Sequence, residues 1–219
     1  MKKYSEILLN CPLFDGISEE HLLKMLDCLG AKVEFFDKKY TVFREGDSAK
    51  HIGIVLEGSV QVVQMDFYGN RSILSKVNAS QVFNEAFACA ETKSLPVSVI
   101  AEEPSYIMFI DCAHILHTCQ NNCGFHQKLI FNLMKDLADK TIAFHRKMEI
   151  CAKRTTRDKL LCFLDNYQRT VGKNEFSIPY DRQELADYLE VDRSGLSAEI
   201  SKLKSEGIID SHKSYFKLL

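Results

Sequence analysis

Asp181-Arg182-Gln183-Glu184-Leu185-Ala186-Asp187-Tyr188-Leu189-Glu190-Val191-Asp192-Arg193-Ser194-Gly195-Leu196-Ser197-Ala198-Glu199-Ile200-Ser201-Lys202-Leu203 is the stretch from which the fold of this chain is read. Asp181 followed three residues later by Glu184 predicts a capping box, in which each side chain accepts from the other's orphan backbone N–H at a helix start. Leu185, Ala186 and Leu189 then share one face, and Ala186 is small enough to let a second helix cross closely. Asp192 caps that second helix, which turns Leu196, Ile200 and Leu203 inward, and Gly207 ends it before Ile208 and Ile209. Glu190 occupies the turn between them, where glycine is favoured. The turn either bends differently or holds a non-glycine residue at positive φ, at a cost of about 1 kcal/mol. Two short helices joined in this way form a helix-turn-helix. The outward positions of its second helix are Arg193, Ser194, Ser197, Ala198, Glu199, Ser201 and Lys202. Tyr215, Phe216 and Leu218, set among Lys213 and Lys217, predict a terminal hairpin or wing.

Upstream, Lys153-Arg154-Thr155-Thr156 breaks the pattern, and Thr156 is the expected cap of a helix from Arg157 to Tyr167 whose apolar face is Leu160, Leu161, Phe163 and Leu164. Phe176-Ser177-Ile178-Pro179 reads as a short strand. Before these lies His126 to Ile150, where Ile130, Leu137 and Phe144 interleave with Met134, Thr141 and Met148 at steps of four and three. That spacing is an a/d seam and asks for a second helix. At 1.5 Å per residue the stretch is on the order of 40 Å long, a spine between two domains and, by its seam, between two chains. The polar Thr141 interrupts the seam.

Nearer the start, Ile7 and Leu8, then Ser18 as a cap ahead of Leu22, Leu23, Leu26 and Leu29, predict helix up to Gly30. From Ala31 the period becomes two. Val33 and Phe35, Tyr40 and Val42, Ile52, Ile54 and Leu56, Val60 and Val62, Ile73, and Val97, Val99 and Ala101 fit alternating strands. Gly46-Asp47, Glu57-Gly58, Gly69-Asn70 and Glu103-Pro104 punctuate them. Many short strands at this spacing mean a β-sandwich or small barrel.

The totals narrow the class. No apolar run approaches the roughly 18 residues of a membrane span, and the Met1-Lys2-Lys3 start is followed by too short an apolar stretch for a signal peptide, so a cytoplasmic protein with no membrane partner is expected. The net charge is −2, and residues 151–219 hold 12 Lys/Arg against 11 Asp/Glu. Any binding of nucleic acid by that part must come from a few placed cations and a fitted shape. Eight cysteines in such a protein are buried thiols, metal ligands or redox sensors rather than a disulfide framework. Cys119, Cys123 and His126, at i, i+4 and i+7, would share one helix face and could ligate a metal or form a redox centre; the plainer reading is a short helix and turn with cysteines as small apolar residues. A cupin-like metalloenzyme would need a cluster of histidines, and His51 is the sole histidine of the strand-rich stretch.

Phe43-Arg44-Glu45-Gly46-Asp47, Ile54-Val55-Leu56-Glu57-Gly58-Ser59-Val60 and Asp66 to Gly69 resemble the jelly-roll effector domain of the Crp/Fnr regulators, which is also the cyclic-nucleotide-binding domain. Asp181 to Leu189, Asp192-Arg193-Ser194 and Leu196-Ser197 resemble the same family's DNA-reading segment. The likeness spans nearly the whole chain. It implies an α+β protein: an antiparallel jelly roll (double-stranded β-helix) over 1–125, a dimerisation helix and hinge over 126–152, and a winged helix-turn-helix over 153–219. It also implies a non-enzymatic, ligand-responsive transcription regulator that binds double-stranded DNA as a homodimer on a palindromic operator, with RNA polymerase as a further partner.

In that family the N-terminal end of the recognition helix meets base edges, so Arg193, Ser194, Ser197 and Ala198 are the reading candidates, while Lys202 and Arg182 would hold phosphates. Relatives commonly carry Arg where Ala198 stands, so a thymine methyl contact replaces a guanine contact. In nucleotide-binding members a Gly-Glu pair and, about ten residues on, an Arg hold the ribose and cyclic phosphate. Here those positions are Asn84-Glu85 and Leu95-Pro96, and Phe144 and His145 replace small hydroxyl residues of the spine. Without the Arg a buried phosphate lacks its charge-assisted partner, so the expected effector is a small molecule other than cAMP, and no cofactor is required. The four-cysteine iron–sulfur arrangement of the Fnr branch is unmatched, since Cys11 stands alone near the start.

Overall fold

The computed structural model describes residues 2–116 and 124–219. Its contacts divide the chain into two compact units, residues 1–70 with 74–140 and residues 71–73 with 141–219.

The first unit opens with two short helices, α1 (Ser5–Leu9) and α2 (Glu19–Cys28), where the sequence predicts helix up to Gly30. Leu8, Leu22 and Leu26 are buried from this segment, and Gly30 at φ 62° ends it. Ser18 holds the cap position of α2, but its hydroxyl bonds His21 Nδ1 at 2.6 Å rather than a backbone N–H. The strands follow: β1 (Lys32–Phe36), β2 (Thr41–Phe43), β3 (His51–Glu57), β4 (Ser59–Met65), β5 (Arg71–Asn78), β6 (Val82–Phe83), then, after helix α3 (Glu85–Cys89), β7 (Ser98–Ala101) and β8 (Ser105–Asp111). They form two four-stranded sheets, β1-β8-β3-β6 and β2-β7-β4-β5. Tyr40 and Val97, predicted as strand, lie just outside β2 and β7.

Alternation misses the two-residue β6 and the longer β8, which runs antiparallel between β1 and β3. Tyr106-Ile107-Met108-Phe109-Ile110 is apolar on both faces because both are covered, so no period of two is visible. Val55, Val60, Val77, Phe83, Val99 and Ile107 form one core cluster, with Phe43 packed edge-on to Phe83 and Phe109. Gly58 is required twice over: its φ is 84°, and a Cβ there would come within 2.3 Å of Ser105 Oγ. Helix α4 (Cys112–Leu116) follows β8, and helix α5 (Gly124–Cys151) is the long spine.

The second unit carries α6 (Thr156–Val171), β9 (Glu175–Ser177), α7 (Arg182–Leu189), α8 (Arg193–Ser205), β10 (Ile209–His212) and β11 (Tyr215–Leu218). The α6 cap is Thr155, one residue before the expected Thr156, and it accepts from the N–H of Asp158. The helix also runs a turn past Tyr167, to Gly172 in the left-handed conformation. β9 and the hairpin make a three-stranded sheet in the order β10-β11-β9. Leu160, Phe163, Leu164, Leu185, Ala186, Leu189, Leu196, Ile200, Leu203 and Phe216 are buried; of the inward faces read from the sequence, Leu161 alone is half-buried. The fold is α+β: jelly-roll sheets, a long helix and a winged helix-turn-helix.

Candidate DNA-reading helix and effector site

The turn between α7 and α8 is built by local chemistry. Asp181 accepts from the N–H of Glu184 at 2.8 Å, and Glu184 accepts from the N–H of Asp181 at 2.8 Å, the predicted capping box. Glu190 ends α7 at φ 54°, ψ 55°, so the positive-φ alternative is the one taken. Lys159 of α6 donates to the carbonyls of Leu189 and Glu190 at 3.2 and 3.3 Å, answering orphan acceptors of that helix end. Asp192 then accepts from the N–H of Gly195 at 2.9 Å and from the hydroxyl of Ser194, which together hold its carboxyl below the usual carboxylate range.

On α8, Arg193, Ser194, Ala198 and Lys202 are exposed and Ser197 is half-buried. Three outward positions are already engaged, Ser201 by donating to the carbonyl of Ser197 at 3.0 Å. Ser194 serves the cap. Glu199 accepts from Arg157 of α6 at 3.1 Å, and the same guanidinium grips Glu206 at 2.5 Å, a clamp between α6 and α8 that no periodicity announced. Arg182 is half-buried, 5.7 Å from the Phe216 ring centroid, and donates to the carbonyl of Lys213 in the wing turn at 3.3 Å. Burial and the charge of Arg193 push its pKa down. It holds the wing to α7 rather than standing clear for a phosphate.

In the first unit, Asn84 takes φ 68° ahead of α3, a left-handed conformation that asparagine tolerates better than most non-glycine residues. Its Nδ2 donates to the carbonyl of His51 at 2.7 Å. Glu85 is buried, and its Oε1 is 2.9 Å from Nζ of Lys140 on α5. Lys140 also meets Asp136 at 2.9 Å and donates to the carbonyl of Val82 at 2.7 Å. Asn84 Oδ1 and Glu85 Oε2 are buried without a hydrogen-bond partner. Leu95 is buried, with its N–H and carbonyl bonded to Asp47 and Gly46 at 2.8 Å each; Pro96 is exposed. Phe144 and His145 belong to the second unit and are exposed there. Lys140 is the partner of Glu85 that sequence patterns do not supply: 55 positions separate the two, and no spacing rule links them.

Along α5 the exposed apolar side chains are Phe131 (55%), Met134 (57%), Ile142 (52%), Phe144 (50%) and Met148 (65%), with Thr141 exposed among them. Ile130 and Leu137, the other half of the expected seam, are partly buried against the core of their own unit. Four of the six expected seam positions, Met134, Thr141, Phe144 and Met148, are thus exposed, with Phe131 and Ile142 exposed beside them. Cys119 and Cys123 lie outside the described residues. His126 is buried, with Nε2 3.0 Å from the carbonyl of His114. Among the described residues no three His, Cys, Asp or Glu side chains converge as a metal site, and no helix is long and apolar enough to cross a membrane.

Residues 33–122 match the cyclic nucleotide-binding domain family, and residues 159–219 match the Crp-like helix-turn-helix domain family. Over 104 residues the chain is 28% identical to cGMP-dependent protein kinase 2 of Homo sapiens, a match covering 47% of this chain and 13% of the kinase. The chain thus spans a small part of the length of the curated relatives it matches. The fold is similar to that of the c-di-GMP-responsive global regulator CLP of Xanthomonas campestris, with a TM-score of 0.72, 16% identity, and 90% and 98% of the two chains covered. It is also similar to that of FixK2 of Bradyrhizobium japonicum, with a TM-score of 0.65, 18% identity, and 86% and 92% covered.

Proposed function

Because this chain belongs to the Crp/Fnr family of regulators, we propose that it works in the cytoplasm as a homodimeric, effector-responsive transcription regulator. Residues 1–125 sense the effector, 126–152 join two copies, and 153–219 bind double-stranded DNA. The observation that carries this reading is the complete helix-turn-helix, capped at both helix starts, with Arg193, Ala198 and Lys202 exposed on α8. Arg193 and Ala198, with the half-buried Ser197, read base edges in the major groove, and Lys202 holds a phosphate. The exposed stripe on α5 meets its own copy, which sets two recognition helices about 34 Å apart for a palindromic operator. RNA polymerase is a further partner of the bound dimer.

The effector is a small molecule other than cAMP. The Arg that would meet a cyclic phosphate is replaced by buried Leu95, and Glu85, which would meet the ribose, is ion-paired to Lys140 of the chain itself. A nucleotide would have to displace a partly buried ion pair and gain no cationic contact in return. Fluorescence anisotropy with promoter duplexes at two salt concentrations tests the reading. Sequence preference, with affinity falling as salt rises, is expected, and cAMP should leave the curves unchanged. Equal binding to all duplexes at low salt would refute DNA reading, and a cAMP-dependent shift would refute the effector assignment.

A further inference from the structure

Cys89 ends α3 and Cys112 begins α4, and their sulfur atoms lie 3.5 Å apart. Cys112 is buried in the core cluster of the first unit, while Cys89 is half-exposed at its margin. This is the arrangement of a reactive thiol with a resolving thiol behind it: one sulfur reachable from solvent, the other shielded and in contact with the first. A disulfide needs a separation of about 2.05 Å, so the two sulfurs must approach by about 1.5 Å, a distance within reach of side-chain rotation at two helix ends. The backbone holds one side of the pair in place, since the N–H of Cys112 donates to the carbonyl of Lys50 at 3.1 Å.

We propose that Cys89 and Cys112 form a reversible dithiol–disulfide site whose oxidant is a hydroperoxide. The Cys89 sulfur attacks the distal peroxide oxygen, an S–O bond forms as the O–O bond breaks, and the departing alkoxide takes the thiol proton and leaves as an alcohol. The Cys112 sulfur then attacks the Cys89 sulfur, the S–S bond forms as the S–O bond breaks, and hydroxide leaves with the Cys112 proton as water. Two thiols lose two electrons, and one hydroperoxide becomes one alcohol and one water. A dithiol reductant reverses the step by exchange. The geometry and the electrostatics agree on this order of events: the sulfur–sulfur contact holds the more accessible Cys89 thiol below the ordinary thiol range, while the same contact and burial push Cys112 up. Cys11 offers a contrast within the same unit, a buried thiol pushed up to about 12 by desolvation.

The position gives the site a consequence. Glu85 begins the five-residue helix that Cys89 ends, so closing the disulfide pulls on the element whose first residue is ion-paired to Lys140 of α5. The chemistry stands apart from DNA binding, and its test reads sulfur directly. Reduced full-length protein is titrated with hydrogen peroxide, remaining thiols are blocked with N-ethylmaleimide, and the protein is digested without reductant for peptide mass mapping. The expected result is a Cys89–Cys112 cross-linked peptide that grows with peroxide and disappears with dithiothreitol. Cys112→Ala, which keeps a small apolar residue in the core, should lose the cross-link and accumulate about tenfold more dimedone-trapped sulfenic acid at Cys89. The proposal is overturned if both peptides return as maleimide adducts at doses that oxidise the exposed Cys28. It is also overturned if the wild type drives Cys89 to sulfinic acid as readily as Cys112→Ala does.

Discussion

Glu190 stands in the left-handed region at φ 54°, where its Cβ crowds the following backbone, and it does so in the turn that sets the angle between α7 and α8. Glu190→Gly should therefore stabilise the protein by about 1 kcal/mol, and Glu190→Val, β-branched at the same angles, should destabilise it by more. Thermal unfolding of the two variants checks both signs, and a destabilising glycine would mean that the side chain's contacts outweigh the strain. Lys140 presents the opposite situation, a charge that looks dispensable in the sequence and is anchored by three acceptors in the fold. Lys140→Met leaves the Glu85 carboxylate buried without its counter-charge and should cost about 1 to 3 kcal/mol, below the fully buried range because the lysine is one-third exposed. Adding Glu85→Gln should recover most of that loss. Strictly additive denaturant midpoints for the two changes would show that the pair is not coupled.

At the scale of elements, legibility followed the chemistry of each segment. The capping box at Asp181, the cap at Asp192 and the inward faces of α7 and α8 follow from local rules, because every partner lies within four residues. β8 escaped, since burial on both faces erases alternation, and the shift of the α6 cap from Thr156 to Thr155 is a choice between adjacent threonines that residue type does not make. The spine was legible as a helix with an apolar stripe, but which of its seam residues pack on their own unit was not. Ile130 and Leu137 pack on their own unit, and this contact lies far away in sequence. The Cys89–Cys112 contact was hidden for the same reason, with 23 positions between the two sulfurs. The exposed stripe carries its own prediction. Met148 is 65% exposed, so Met148→Glu should leave the fold of the single chain intact while placing like charges against each other across a two-chain seam. Analytical ultracentrifugation should find the variant at least about tenfold weaker in self-association than the wild type. Unchanged association would move the dimer contact elsewhere.

For the molecule as a whole, the near balance of charge in the C-terminal part limits what DNA binding can look like. With 12 Lys/Arg against 11 Asp/Glu in residues 151–219, and Arg157, Lys159, Arg182 and Lys204 tied to internal acceptors, eight cations remain to meet phosphates among eleven carboxylates. Non-specific affinity should be low and the salt slope shallow, so under the proposed function discrimination would rest on the proposed reading face of α8 and on the proposed pairing of two copies. The most direct test is selection of bound sequences from a random duplex library by the full-length protein. The expected result is enrichment of a two-fold symmetric motif whose half-sites are centred about one helical turn apart, degraded at matching positions of both half-sites by Arg193→Ala. Recovery of duplexes with no common motif, or of a single asymmetric half-site unaffected by Arg193→Ala, would contradict it.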